Sequence, residues 1–257
     1  MKKIASRIAF LSAGMALLVF AGCGNTDNRE VMEFEKYNYS AIAEVDTDSV
    51  DVEEDAVYWQ CNGSGMLPVK IGKRDISALR DTLMRIAAVE FDKGDARPLL
   101  PRGYKRELVS ADSVEARSQV VNDLSVVLMT PEVMVWRNYS YAYPKGAAHS
   151  NYSNVYVNYS LSDGRILTHR DVFKAGSEEQ LAGTLRAALS DRDDLITDLE
   201  DIEVPETFYV TADGVTFVYG LYAIAPYSSG EIEVPLKAYS IADILTPYAS
   251  GTLFGIK

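Results

Sequence analysis

The apolar positions of this chain change period several times, and the changes divide it into elements. From 208 to 236 they alternate. Two runs of β-branched and aromatic residues flank Asp213-Gly214, a hairpin signal. The second run passes into Ile224-Ala225-Pro226-Tyr227-Ser228-Ser229-Gly230, where Pro226 and Gly230 break it. A third run sets Ile232, Val234 and Leu236 on one face against charged neighbours. The core of the C-terminal half is expected on this three-strand unit.

Upstream, the same reading predicts a strand at 34–45, where Tyr37, Tyr39 and Ala41 alternate with polar residues. It predicts a strand at 56–61, a turn at Asn62-Gly63-Ser64-Gly65 and a weaker strand at 66–71. Ile76, Leu79, Leu83, Ile86, Ala87 and Phe91 recur at helical spacing, so 74–91 is expected to be a helix. A short second helix is expected at 113–122. Period two returns in a hairpin of 124–129 and 133–143 around Thr130-Pro131, and in a strand at 152–161 ending on Asp163-Gly164. Residues 177–189 carry a narrow apolar stripe of Leu181, Leu185, Ala188 and Leu189, with Ser177 as N-cap. Residues 246–257 carry no pattern and read as a tail. The expected fold class is α+β: two packed units of antiparallel sheet with one amphipathic helix each, at 37–143 and 144–250.

The first 22 residues stand apart. Lys2, Lys3 and Arg7 precede an apolar run from 8 to 20, and Phe20-Ala21-Gly22-Cys23 follows, as in a secretory signal. The ending resembles the lipobox of bacterial lipoproteins, which implies a diacylglycerol (palmitate-bearing) anchor on Cys23, with 23–36 as a tether. An ordinary signal peptide is the alternative. A membrane span is disfavoured by the shortness of the run. Gly24 stands where an inner-membrane retention Asp would be, which favours an outer-membrane address. Losing Lys2, Lys3 and Arg7 turns 25 basic residues into 22 against 37 acidic ones, a net charge of −15. Such a surface repels nucleic acid and favours cationic partners. With Cys23 lipidated, Cys61 is the one thiol left, so no intrachain disulfide is expected, and a buried role follows from its place after Tyr58-Trp59.

Acids cluster at 44–55 and at 191–203, seven in each. Asp46-x-Asp48 opens like a calcium loop, but Val50 and Asp51 stand where a ligand and the turn glycine belong, so a solvated acidic loop is favoured. The two histidines, His149 and His169, are twenty positions apart and lack zinc-helix spacing. The chain contains no Gly-x-Ser-x-Gly elbow, phosphate loop or dinucleotide fingerprint. No cofactor or metal is expected. Tyr139, Tyr141 and Tyr143 share one side of their strand, and Tyr152 and Tyr156 one side of the next. They form either a tyrosine-lined face or rings packed under the helices.

Three stretches carry a resemblance: Tyr143-Pro-Lys-Gly-Ala-Ala-His149, Gly164-Arg-Ile-Leu-Thr-His-Arg-Asp-Val-Phe173 and Tyr222-Ala-Ile-Ala-Pro-Tyr-Ser-Ser-Gly230. Residues 143–236 resemble a bacterial domain of unknown function. It forms the extracellular part of lysozyme-sensing anti-sigma factors and accompanies some polysaccharide deacetylases. The segment before Tyr143 resembles its companion N-terminal domain. Ala147 departs from the family's glycine in the first stretch. The resemblance implies an α+β fold and a sensing or binding role without the deacetylase module. The expected function is a non-enzymatic envelope lipoprotein that binds a cationic protein such as lysozyme, or a peptidoglycan fragment. Its candidate binding residues are Tyr139, Tyr141, Tyr143, His149, Tyr152, Tyr222 and Tyr227. The alternative is an enzyme acting on cell-wall glycan, with His149 and an acid from 191–203 in its site.

Overall fold

A computed structural model describes residues 15–19, 31–51, 57–116 and 118–256. Cys23 and most of its tether lie outside them, as do 52–56 of the first acidic stretch. The fold is α+β, with several largely antiparallel sheets and few helices. It divides into two compact units, one of residues 1–125 and 138–152, the other of 126–137 and 153–257.

In the first unit β1 (Met15–Val19) pairs antiparallel with the edge of β2 (Val31–Glu44). β2 in turn pairs antiparallel with β3 (Tyr58–Ile71) along nearly its whole length. The turn expected at 62–65 is therefore absent, and β3 runs straight through Asn62-Gly63-Ser64-Gly65. Those glycines clear space instead. A Cβ on Gly63 would sit 2.3 Å from the Tyr39 ring, and one on Gly65 2.6 Å from the Leu124 carbonyl oxygen. α1 (Ser77–Ile86) buries Leu79 and Leu83 but ends five residues before the expected boundary. Ala88 takes φ +47 there, and Phe91 belongs to β4 (Val89–Asp92), which turns through Lys93 and Gly94, both at positive φ, into β5 (Asp95–Pro98).

The helix expected at 113–122 is also absent. β6 (Ser118–Met129) begins there and runs parallel to β3 from 118 to 124. Val120-Val121 and Val126-Val127 suit a pleated surface better than a helix. Ser118 and Asn122 are buried and bonded: the Ser118 hydroxyl accepts the Lys145 N–H, and Asn138 Nδ2 donates to Asn122 Oδ1. The expected hairpin continues into β7 (Val133–Tyr143).

β8 (Asn151–Ser160) leads through a turn with Gly164 at φ +69 into β9 (Arg165–Leu167). α2 (His169–Val172) follows, opened by a capping box between Thr168 and Asp171. α3 (Glu178–Leu189) buries Leu181, Leu185 and Leu189. Ser177 precedes α3 as expected, but its hydroxyl donates to the Lys174 carbonyl and caps nothing. The three-strand unit forms from β10 (Phe208–Val210), β11 (Gly214–Tyr219) and β12 (Ile232–Lys237). Its core face places Phe208, Phe217 and Val234 in register, with Val210, Val215 and Leu236 beside them. Gly214 is the first residue of β11, and a Cβ there would lie 2.0 Å from the Leu236 carbonyl oxygen. The supposed tail is packed: Ala249 and Leu253 are buried, and Thr246 donates to the Asp171 carbonyl. No helix among the described residues is long and apolar enough to cross a membrane.

Candidate functional site

Five of the seven candidate residues fall in the first unit. The Tyr139 and Tyr152 rings lie 6.1 Å apart. Tyr141 is half-buried. The Tyr143 hydroxyl donates to the Ala147 carbonyl, 3.3 Å away, and closes a turn in which Gly146 takes φ +83. His149 is exposed, and its Nδ1 lies 2.8 Å from the Ser150 carbonyl. His149 and the acids of 191–203 belong to different units. Tyr156 stacks on Tyr209 at 4.4 Å in the second unit. Burial first, and then Glu233, push its hydroxyl pKa upward, so this ring supports packing.

The other two residues form a built loop in the second unit. Tyr222 takes φ +61, a left-handed conformation that bulky side chains rarely occupy, and leaves 53% of its surface exposed. Its ring lies 5.7 Å from that of Tyr227. The following residues hold the loop down. Ile224 and Ala225 are buried, the Tyr227–Ser229 segment is a 3₁₀ turn, and Gly230 closes it at φ +71.

This loop is tied to the second acidic stretch. The Ile196 N–H donates to the Ile224 carbonyl at 2.9 Å, and the Ser229 hydroxyl donates to the Asp194 carboxylate at 2.6 Å. Arg192 pairs with the same carboxylate at 2.6 Å. The Ser229 hydroxyl, and then Arg192, hold the Asp194 pKa below its ordinary value. Ile196 is 58% exposed beside this contact. The arrangement is an aromatic pair and an exposed aliphatic residue, joined through Asp194 to an acid-rich stretch in which Asp191 and Asp193 are exposed. Such a surface suits a cationic, partly apolar partner: guanidinium or ammonium groups stack on tyrosine faces, and the nearby carboxylates attract them. Sequence reading missed Asp194, Ile196 and Ser229 as one site. They are brought together across some thirty residues, and no local period marks that contact.

Residues 170–239 match the family model described as a protein of unknown function, DUF3298. The match contains the Tyr222 loop and the 191–203 stretch and excludes 139–152. Two solved structures share the fold. A DUF3298 family member from Bacteroides fragilis is 18% identical, with a TM-score of 0.60 over 86% of this chain and 97% of its own. A DUF3298 family protein from Pseudomonas aeruginosa is 15% identical, with a TM-score of 0.54 over 95% of this chain and 98% of its own. No curated protein matches the chain.

Proposed function

We propose that this chain is a non-catalytic bacterial lipoprotein, exported and held in the cell envelope through Cys23, that captures a cationic protein on the Tyr222 loop. The basic residues, apolar run and Phe20-Ala21-Gly22-Cys23 ending support export and lipidation, and Gly24 supports an outer-membrane address. The carrying observation is Tyr222 itself. A bulky residue in the left-handed region, exposed over half its surface and held by its neighbours, is backbone strain kept at a surface position. The adjoining carboxylates set the sign of the partner. The resemblance to the extracellular part of lysozyme-sensing proteins makes lysozyme the first cationic protein to try.

Titration calorimetry of the chain from Gly24 onward against lysozyme, at low and at physiological salt, tests the binding. Salt-weakened binding at micromolar affinity or better is expected, with loss in Tyr222→Ala and weakening in Asp193→Lys. Absence of heat at both salt concentrations with every cationic protein tried would sink the reading and move attention to cell-wall glycan. Lipidation is tested separately: Cys23→Ser should abolish palmitate labelling and release the chain from membranes.

A further inference from the structure

The second unit holds a cavity of about 470 Å³ between α2 and the start of α3, outside the Tyr222 loop. Its interior is apolar, formed by Phe173, Leu181 and Val204, of which Phe173 and Leu181 are core residues. One wall is the His169 ring, which packs edge-on against Phe208 at 4.5 Å and beside Phe173 at 5.9 Å. Its Nε2 lies 3.3 Å from the Glu206 carbonyl, which fixes the ring in the wall.

The mouth has the opposite chemistry. Arg170 and Lys174 stand there with one carboxylate, Glu178. Lys174 is held in place by donating to the Asp243 carbonyl at 2.7 Å. Arg170 is exposed and has no ion-pair or hydrogen-bond partner among the described residues. Elsewhere in this unit Arg165, Arg186, Arg192 and Lys237 each hold a carboxylate. In a chain of net charge −12, a locally positive opening over an apolar floor selects against the ligands the rest of the surface would attract. Of the basic lining residues Lys174 is engaged at Asp243, which leaves the Arg170 guanidinium as the group to be matched. The volume is that of an ordinary small-molecule site.

We propose that this cavity binds an amphipathic monocarboxylate, its apolar body on Phe173, Leu181 and Val204 and its carboxylate on the Arg170 guanidinium. The planar fork of arginine matches a carboxylate with two parallel hydrogen bonds. The site is independent of the Tyr222 surface.

The chain's two histidines give a direct readout. Proton NMR of the full chain in deuterated detergent follows both imidazoles while 2-naphthoate is added, the resonances being assigned with His149→Gln. A saturable shift of the His169 resonance is expected, with His149 unmoved. Arg170→Glu should weaken binding by about tenfold or more, as should replacing the probe by neutral 2-naphthalenemethanol, a factor worth about 1.4 kcal/mol. Ala175→Trp, at the exposed rim, should block the cavity without touching the core. Equal affinity for the neutral analogue, indifference to both variants, or no saturable shift of His169 would each overturn the proposal.

Discussion

Tyr222 carries a backbone cost at an exposed position. Left-handed backbone costs a bulky residue on the order of 1 kcal/mol relative to glycine, and its exposed ring returns little of that through burial. Tyr222→Gly is therefore expected to leave Tm unchanged or raised while weakening capture of the cationic partner. A fall in Tm with binding retained would show that the ring serves the fold. The Cys61 thiol is the converse case, a reactive group disarmed by its surroundings. It is 4% exposed, and burial pushes its pKa up to about 11, so almost no thiolate exists near neutrality. The native chain should resist thiol reagents at pH 8 and react fully in denaturant; rapid native labelling would contradict the buried placement. His169 gives the pH term. Burial pulls its pKa below the ordinary value of 6.5, against the Glu206 and Pro205 carbonyls, which pull upward. The unfolded chain thus takes up the proton first. Stability contributed by this group is complete above about pH 6.5 and is lost as pH falls below it, toward the depressed folded pKa. The urea midpoint should drop between pH 7 and pH 5, and His169→Gln should flatten that drop.

At the scale of elements, β10 shows how a side chain replaces a strand. Among the described residues no strand pairs with its outer edge, yet Asn158 supplies both partners: Nδ2 donates to the Phe208 carbonyl at 3.1 Å, and Oδ1 accepts the Val210 N–H at 2.8 Å. Asn158 is 3% exposed, so removing it orphans two buried backbone groups. Asn158→Leu should cost about 2–4 kcal/mol, read as a lowered denaturation midpoint; a loss below about 0.5 kcal/mol would mean that water replaces the amide. The sequence shows β10 but cannot show this substitute. The same limit explains the other elements. Alternation made β2, β8 and β12 legible, and the stripe of Leu181, Leu185 and Leu189 made α3 legible, because each buries one face. Gly63 and Gly65 were misread as a turn because their reason lies on neighbouring strands, in the Tyr39 ring and the Leu124 carbonyl. The helix at 74–91 was overlong because Phe91 keeps helical spacing even after Ala88 has turned the chain. Thr168-x-x-Asp171 is a capping signature that the sequence does carry for α2. In the candidate site, Tyr222 and Tyr227 were legible as aromatics in a broken strand. Their acidic border was not, because Ile196–Ile224 and Asp194–Ser229 are tertiary contacts.

For the whole molecule, the charge and the aromatic loop act over different distances, and kinetics separates them. Net charge acts beyond contact and is cut off within about 8 Å at physiological salt, so it governs encounter. The Tyr222 and Tyr227 rings act only after contact, and govern how long a complex lasts. Surface plasmon resonance with a cationic partner should therefore show kon falling about tenfold between ~20 mM and ~150 mM salt, with koff nearly constant. Tyr222→Gly should raise koff and leave kon within about twofold. Replacing Asp191 and Asp193 by Asn should reproduce part of the salt effect at low ionic strength. The Asp194 carboxylate is held by Ser229 and Arg192, so its replacement should loosen the loop and raise koff as well. If salt acts on koff instead, the acids of 191–203 form direct pairs with the partner, and the binding surface extends from the loop onto that stretch.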